Sequence, residues 1–420
     1  MRYDLLIIGG GMVGASLAHA LRDLDLRIGI VEAVSLEENS QPSYDARAIA
    51  LSQGSKRIFE AMGVWPAMVE QGVSPITHIH VSDRGHFGAA RLNADEERVE
   101  ALGYVVEAGV IGTVLAASLK ALPNVEVICP ATIKGLAIEE DGVSVTVERE
   151  GVLSELRAAL VVAADGTHST VRELAGARTF KLGYGQTAII ANVITDQPHN
   201  GRAFERFTDT GPLAMLPNTA PLGYPYREVG ERRWSLVWTA RDAEVESTLA
   251  LDEAAFIERL QARLGYRAGR VISCGPRRAY PLVLQYVRDH VRERLAFIGN
   301  AAHAMHPVGG QGFNLGLRDV AVLADVLAAA VQRGDDIGSL AALRDYAAWR
   351  RPDYIRTLFF TDSLARSFSA KFPPLVVARD LGLMAMDLLP PARKLFARQA
   401  MGLLGKLPRL ARHLPLIEKS

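Results

Sequence analysis

The first strand of this chain and the turn after it constrain the fold most strongly. Residues 5–8 form an unbroken apolar run that leads into Gly9-x-Gly11-x-x-Gly14, and apolar residues then recur at helical spacing over 13–21. A continuous apolar run is typical of a strand buried on both faces. Strand, glycine turn and helix in this order predict a dinucleotide-binding unit.

The three glycines have separate roles in such a unit. Gly9 permits the tight turn, Gly11 leaves room for a pyrophosphate beside the backbone, and Gly14 lets helix and strand pack closely. The helix N-terminus then offers free N–H groups to the anion. A second strand at 27–31 ends at Glu32, eighteen positions after Gly14, about where a carboxylate binds a ribose diol. The motif by itself leaves FAD and NAD open.

Composition sets wider limits. The 420 residues leave room for two or three domains. The 47 Lys and Arg residues balance the 47 Asp and Glu residues, so the net charge gives no electrostatic attraction to nucleic acid. Cys129 and Cys274 lack zinc-site spacing and are expected to be thiols in a reducing compartment. We expect no bilayer span and no signal peptide, because the first apolar run belongs to the fold.

Two later turns resemble the first in kind. One buried apolar run ends at Asp165, and another ends at Gly299-Asn300. Ligands in open α/β sheets bind at the carboxyl ends of parallel strands, so both turns are candidates for the same crevice. The alternative for Asp165 is a plain turn before a helix capped by Ser169.

A glycine-rich turn containing Gly310 and Gly312 precedes a long predicted helix in which Asn314 lies in the first turn. Such a helix N-terminus brings backbone N–H groups close to a flat ring and supplies positive potential where a reduced flavin carries negative charge. His303 and His306 lie just before it. They lack a third ligand, so no metal site is predicted, and core or capping imidazoles are the ordinary interpretation.

The middle of the chain has a different pattern of predicted elements. Short strand-like segments separated by turn clusters extend from 186 to about 284, with an amphipathic helix at 251–264, and predict a mostly antiparallel sheet. Apolar side chains that face the cofactor from this sheet would line a substrate chamber. Arg47, in an apolar neighbourhood, either pairs with Asp45 or presents a cation to cofactor or substrate.

The last fifty residues are basic and amphipathic. From Lys371 onward, nine Lys or Arg residues stand against three acids, interleaved with Leu, Met and Phe. This pattern is typical of a segment that binds a membrane surface. The alternative is a packed helical cap with a solvated basic face.

The glycine motif, the Asp165-Gly166 segment and the Gly299-Asn300 segment, in this order, resemble the marks of the class A flavoprotein aromatic hydroxylases. Four further segments are similar to the ubiquinone-biosynthesis branch of that family: YDARAIAL at 44–51, HVSDRGH at 80–86, GRAFERFT at 201–208, and GNAA through GQGFNLG at 299–316. The resemblance covers nearly the whole chain. One departure is Asn300, where the wider family has Asp, so this side chain brings no charge beside the pyrophosphate.

The resemblance implies an α/β fold of the para-hydroxybenzoate hydroxylase type, in which a Rossmann-like FAD-binding domain is interleaved with a mostly antiparallel substrate sheet. The implied boundaries are 1–180 and 286–345 for the FAD-binding domain, 181–285 for the substrate domain and 346–420 for a helical C-terminal region. The residues implied to contact FAD are Gly9, Gly11, Gly14, Glu32, Arg47, Asp165, Gly299, Asn300, Gly310, Gly312 and Asn314. His306 and the carbonyl of Pro307 are implied near the phenol.

The implied reaction hydroxylates a polyprenylated methoxyphenol of ubiquinone biosynthesis. NAD(P)H reduces the flavin, reduced flavin and O₂ form a C4a-hydroperoxide, and one oxygen passes to the ring, while the protein orients the ring and excludes water. The sequence contains no second nucleotide-binding glycine motif, which suits transient docking of NAD(P)H. The implied setting is cytoplasmic, on the inner face of the membrane, with ubiquinone-pathway proteins as further partners.

Several alternatives stay open at this point. Within the class they are a sister hydroxylase acting at another ring position and a hydroxylase of soluble phenols. Outside it they are a flavin reductase of prenyl double bonds, a halogenase and a non-catalytic assembly protein that keeps FAD. The four Trp residues are scattered rather than clustered in a motif, which argues against the halogenase.

Overall fold

A computed structural model describes residues 2–36, 45, 47–219, 227–369 and 373–417, so Tyr44 and Ala46 of the quoted segment lie outside the described residues. Strands β1 to β20 are, in chain order, Arg2–Ile8, Ile28–Val31, Ala48–Ser52, Ser74–Ile76, His78–Asp83, Ala89–Asn93, Gly103–Glu107, Val125–Ile128, Thr132–Ile138, Val143–Arg149, Val152–Ala163, Thr179–Thr195, Arg202–Thr208, Gly211–Pro217, Arg233–Arg241, Val271–Cys274, Arg278–Val287, Val291–Arg292, Leu295–Phe297 and His303–Ala304. Helices α1 to α12 are Met12–Ala20, Gln53–Ala61, Trp65–Gln71, Ala94–Glu97, Ala108–Leu119, Thr170–Leu174, Asp242–Leu249, Glu253–Leu264, Gln311–Arg333, Leu340–Ser369, Pro373–Leu388 and Pro390–Ala400.

The first sheet is the predicted dinucleotide-binding sheet. Its strand order is β18-β19-β11-β1-β2-β8, and the strands from β19 to β8 run parallel. The carboxyl ends of β1, β2, β11 and β19 therefore meet at one edge. Strand β11 is long: its first part pairs antiparallel with β10, and its second part pairs parallel with β1.

Both faces of this sheet are buried, as the unbroken apolar run of β1 requires. Leu5 and Ile7 pack in the core formed with α1, α5 and α9. Leu6 and Ile8 point the other way and pack with Val145 of β10 and Phe297 of β19. The alternation of strand side chains thus places two separate cores around one strand.

The second sheet has the order β20-β17-β12-β15-β14-β13-β5-β6, with β16 paired to β12. One of its faces packs on α8 through Phe256, Leu260 and Leu264. Strands β5 and β6 come from within residues 1–180, and β20 comes from within 286–345. The two sheets are therefore interleaved in the chain more deeply than the predicted domain boundaries state.

A small sheet of order β3-β7-β4 lies between the two larger ones, and the C-terminal region is helical. Much of its end packs on the rest of the protein: Leu410 and Leu416 join the core around α1 and α9, and Ala397 and Met401 pack against Leu92. Among the helices described, none has the length and apolarity needed to cross a membrane.

Candidate active site

The turn after β1 is built by close backbone contact. Gly9 has φ +104°, a conformation that favours glycine. A Cβ on Gly14 would collide with the carbonyl oxygen of Gly9, and a Cβ on Gly9 would lie 2.6 Å from the carbonyl oxygen of Ala164. These two glycines therefore bring α1, β1 and the end of β11 together.

Other glycines border open space instead. A Cβ added to Gly11, Gly166 or Gly312 would meet no heavy atom within 4 Å. These positions follow β1, follow β11 and begin α9, so they border the sheet edge where parallel strands end. A Cβ at any of these positions would enter space that the protein leaves unoccupied. Unoccupied space beside a helix N-terminus fits the pyrophosphate and ring of FAD.

Glu32 lies at this edge and is nearly buried. Its carboxylate accepts hydrogen bonds from the N–H of Gly10 at 2.6 Å and from the N–H of Val34 at 2.9 Å. The carboxylate thus joins the end of β2 to the glycine turn. Each carboxylate oxygen can accept a second hydrogen bond, and the ribose contact of Glu32 stays a prediction.

Gly299 and Asn300 form a short 3₁₀ turn after β19, and Asn300 is exposed. Gly299 has φ +57°, and a Cβ there would lie 3.1 Å from Val13 of α1. A Cβ on Gly316 would lie 3.1 Å from the Cα of Gly299. This turn, α1 and α9 therefore approach more closely than residues with side chains would allow.

A buried charge network, which sequence reasoning missed, holds this turn. Asp319 of α9 is fully buried and accepts hydrogen bonds from the N–H of Gly299 at 3.0 Å, and from His303 Nε2, Arg350 Nε and Tyr354 Oη at 2.7 Å each. Burial alone would raise the pKa of Asp319, but the Arg350 guanidinium and His303 lower it to about 2. His303 is thus a core imidazole. The sequence did contain one sign of this network, because Asp319 lies among the apolar residues that form the buried face of α9.

Asn314 anchors the start of α9. Its Nδ2 donates to the carbonyl oxygens of Ala50 at 2.8 Å and Gly310 at 2.7 Å, and its Oδ1 accepts from the N–H of Ser52 and the hydroxyl of Ser55. Gly310 has φ +62°, and a Cβ there would lie 2.8 Å from Ala50 Cβ. The Asn314 side chain therefore shapes the turn that is predicted to hold the flavin, while its amide hydrogens are used within the protein.

Arg47 pairs with Asp45, which is one of the two predicted alternatives. Arg47 Nε lies 2.7 Å from Asp45 Oδ1, and its guanidinium stacks 4.7 Å from the ring centre of Tyr280. The Tyr280 hydroxyl donates to the same carboxylate at 2.9 Å. Since Tyr280 belongs to β17, this cluster connects the cofactor side to the second sheet.

Asp165 lies in the predicted turn before a helix capped by Ser169, and its contact with the cofactor stays a prediction. Its carboxylate accepts a hydrogen bond from the N–H of Val171 at 3.1 Å, and Ser169 caps α6 by accepting from the N–H of Arg172 at 3.0 Å. Burial raises the pKa of Asp165. It stands beside Gly166, which has φ +80°, at the same sheet edge as the glycine motif.

His306 and Pro307 lie in the turn before α9. His306 is fully buried, its ring lies edge-on 5.1 Å from Tyr184, and neither ring nitrogen has a hydrogen-bond partner among the described residues. Burial lowers its pKa to about 4, so the imidazole is neutral near pH 7. The Pro307 carbonyl accepts from the N–H of Gly310 at 2.9 Å.

The face of the second sheet that points away from α8 packs on the turn before α9. Across β12, β15, β14, β13 and β5 the register aligns Ile190, Val237, Ala214, Glu205 and Val81, which we call the chamber row. The first four are half-buried although they lie in the middle of a sheet. Their sequence neighbours pack on α8 from the opposite face, so the chamber row lies on the face that packs on the turn before α9 through Val81.

Comparison with protein families identifies residues 2–354 as an FAD binding domain. The match spans most of the chain, so the chain belongs to this family and is a flavoprotein monooxygenase. It is 40% identical to the ubiquinone hydroxylase UbiL of Rhodospirillum rubrum, over 98% of this chain and 93% of that protein. It is 30% identical to the 3-demethoxyubiquinol 3-hydroxylase of Escherichia coli, over 95% and 98%. The chain thus falls in the ubiquinone-biosynthesis branch of the class A flavin monooxygenases.

Solved structures confirm the predicted fold class. The p-nitrophenol 4-monooxygenase PnpA of Pseudomonas putida superposes with a TM-score of 0.78 at 20% identity, covering 96% of this chain and 98% of that one. PqsL of Pseudomonas aeruginosa superposes with a TM-score of 0.73 at 22% identity, covering 91% and 100%. At this level of identity the likeness concerns the fold alone.

Proposed function

We propose that this protein hydroxylates a polyprenylated methoxyphenol in ubiquinone biosynthesis, using FAD, NAD(P)H and O₂. The observation that carries the proposal is the chamber row on the side of the FAD-binding edge, in which four of the five members are apolar: Ile190, Val237, Ala214 and Val81. An apolar wall suits a prenylated ring better than a small polar phenol. The names of two relatives, a ubiquinone hydroxylase and a demethoxyubiquinol hydroxylase, support a substrate of this pathway.

The residues that hold the cofactor follow from the turns described above. We assign the pyrophosphate to Gly9, Gly11 and Gly14 with the N-terminus of α1, and the ribose to Glu32. Bound FAD supplies hydride acceptance and O₂ activation, which no amino-acid side chain provides. The protein itself binds both partners, keeps water from the ring and orients the reacting carbon.

The other end of the cofactor is assigned to the later turns. Asn300 is exposed beside Gly299 and can contact the ribityl chain, while Gly310 and Gly312 border the ring at the N-terminus of α9. Positive potential at this helix end stabilises negative charge on the reduced ring. His306 and Pro307 remain candidates for the neighbourhood of the phenol.

Deletion of the gene in its native host is expected to stop ubiquinone synthesis and to accumulate a 2-polyprenyl-6-methoxyphenol, identified by mass spectrometry of lipid extracts. A plasmid copy of the wild-type gene should restore ubiquinone, whereas a copy carrying Gly11→Val should not. Accumulation of a different ring precursor would assign the enzyme to another position of the same ring. Unchanged ubiquinone would contradict the pathway assignment.

We further propose that the C-terminal helices rest on the membrane surface from which a prenylated substrate is drawn. Leu381 and Leu388 of α11, Leu389 between the helices, and Leu395 of α12 are each at least 54% exposed. Lys394, next to Leu395, is also exposed. Exposed apolar side chains flanked by cations are typical of an interfacial helix.

Replacement of Leu388 and Leu389 together by Glu is expected to weaken binding to anionic vesicles roughly tenfold or more, because two apolar contacts become repulsive charges. The measurement is co-sedimentation of the FAD-loaded protein with phosphatidylglycerol vesicles. Leu153→Glu is the matched control, since Leu153 is 63% exposed on the distant strand β11. Equal co-sedimentation of all three proteins would contradict the membrane proposal.

A further inference from the structure

The alternation of side chains along β13 fixes the direction of Glu205. Phe204 points toward α8 and lies 5.8 Å from Trp234, and Arg206 donates to the carbonyl oxygen of Leu264 at the end of α8. Glu205 therefore points to the opposite face. That is the face of the chamber row, which borders the FAD-binding edge.

The two neighbours of Glu205 on that face show which parts of the protein lie opposite its carboxylate. Phe207 packs with Val308, in the turn that precedes α9. Ala203 packs with Ile76 and Val105 of the small sheet. The Glu205 carboxylate thus lies between two apolar contacts, one of which is the turn predicted to hold the flavin, and the N–H of Gly309 in that turn faces it.

The environment of the Glu205 carboxylate is unusual for an acid. Its side chain is half-buried, and the N–H of Gly309 faces the carboxylate. Its register partners are Ala214 and Val81, and no ion pair joins it to any residue in the described part of the chain. Burial raises the pKa of Glu205 to about 7, opposed only by the N–H of Gly309.

Few titratable groups are near enough to share its proton. Strand β14 carries none. On β5, His80 lies on the α8 face with Arg267, 2.8 Å away, and Asp83 lies at the end of the strand. In the turn before α9 His306 is neutral, and on α10 Asp362 accepts from the Tyr184 hydroxyl.

We propose that Glu205 is a catalytic residue that accepts the proton of the substrate phenol. This inference rests on the proposed function. In the step, the phenol O–H bond breaks, its electron pair stays on the phenol oxygen, and the proton bonds to the Glu205 carboxylate. The overall reaction consumes the phenol, O₂, NAD(P)H and one proton, and yields the diol, water and NAD(P)⁺.

Magnitudes favour this assignment over an ordinary carboxylate. A phenol titrates at a pKa of about 10 and an unperturbed Glu at about 4.3, so an unperturbed Glu is a poor acceptor of the phenol proton. A carboxyl with a pKa of about 7 is better matched to the phenol. A base matched in this way contributes about 10²- to 10⁴-fold to a rate. His306, fully buried and with a lowered pKa, is the weaker base at this edge.

Glu205→Gln tests the inference, because glutamine keeps the size and can still accept from Gly309 but cannot take a proton. With FAD-loaded protein and a short-chain 2-prenyl-6-methoxyphenol, hydroxylation should fall roughly 100-fold or more. The wild-type hydroxylation rate should decline as pH falls through about 7, because the base must be ionised. The rate of the variant should not show this decline. Flavin reduction by NAD(P)H should persist, so the variant should release hydrogen peroxide instead of diol.

Glu205→Asp should restore part of the rate and its decline below about pH 7. The control is Glu258→Gln, which changes an exposed acid of α8 on the opposite face and should behave as wild type. A wild-type rate and pH profile in Glu205→Gln would overturn the inference while leaving the proposed function intact. Failure of the wild-type protein to hydroxylate any prenylated phenol would instead contradict the proposed function.

A measurement without turnover decides the same point independently. The Glu205 carboxyl is titrated by infrared difference spectroscopy between wild type and Glu205→Gln, with and without 2-methoxyphenol. Direct contact with the phenol oxygen should shift the titration midpoint of this carboxyl. An identical midpoint in both conditions would overturn the inference whatever the activity assays show.

Discussion

Asp319→Asn is expected to lower the free energy of unfolding by about 3–5 kcal/mol and to remove most bound FAD. The substitution removes the charge of one of the two carboxylates that the buried Arg350 guanidinium contacts, the other being Asp353, and breaking a buried ion pair costs about this much. The new amide N–H groups would also face donors, since both Asp319 oxygens accept: Oδ2 from Gly299 and His303, and Oδ1 from Arg350 and Tyr354. The turn at Gly299 then loses the bond that places it beside α1.

Urea unfolding and the ratio of flavin to protein absorbance measure the two effects. Asp345→Asn, which changes an exposed acid of α10, is the matched control and should change neither. Because the pKa of Asp319 is lowered to about 2, its contribution of about 2 kcal/mol is present above pH 4 and is lost as pH falls toward 2. A variant within about 1 kcal/mol of wild type that keeps its FAD would contradict the assignment.

Gly11→Val is expected to weaken FAD binding strongly without unfolding the protein. Gly11 has φ −64°, which any residue can adopt, and its Cβ would enter open space. The valine therefore occupies only the volume assigned to the pyrophosphate. Forced overpacking costs about 1–3 kcal/mol, which corresponds to a loss of FAD affinity of roughly 10- to 100-fold.

Gly14→Val is the contrasting variant, because its Cβ would collide with the carbonyl oxygen of Gly9. It should destabilise the fold itself by moving α1 away from β1. Circular dichroism of the FAD-free proteins and FAD titration by fluorescence separate the two outcomes. Tight FAD binding by Gly11→Val would place the pyrophosphate elsewhere.

Much of the cofactor side was predictable because its signals are local. The run before Gly9 requires burial on both faces, and its glycine spacing specifies the turn, so the parallel sheet follows from contiguous residues. The long helix predicted near Gly312 begins at Gln311. Each of these elements is specified by periodicity within its own segment.

The residues missed from sequence share a different property. Asp319 resembles any acid on a helix until Arg350 and Tyr354, one turn apart on α10, are placed against it. In GRAFERFT the alternation puts Glu205 on the same face as Ala203 and Phe207, a hint that this carboxylate is buried. Without the register of β13 to β5 and β14, that face cannot be distinguished from solvent.

The dinucleotide-binding sheet, its glycine turns and the family could thus be predicted from the residues, because they depend on short-range periodicity and on residue types that only one local conformation accommodates. The contacts of Asp319 with Gly299 and Arg350, and of Glu205 with the turn at Gly309, became visible only in the folded protein. The energy of a buried charge depends on partners brought from distant segments by sheet register and helix packing, and no local pattern encodes those partners.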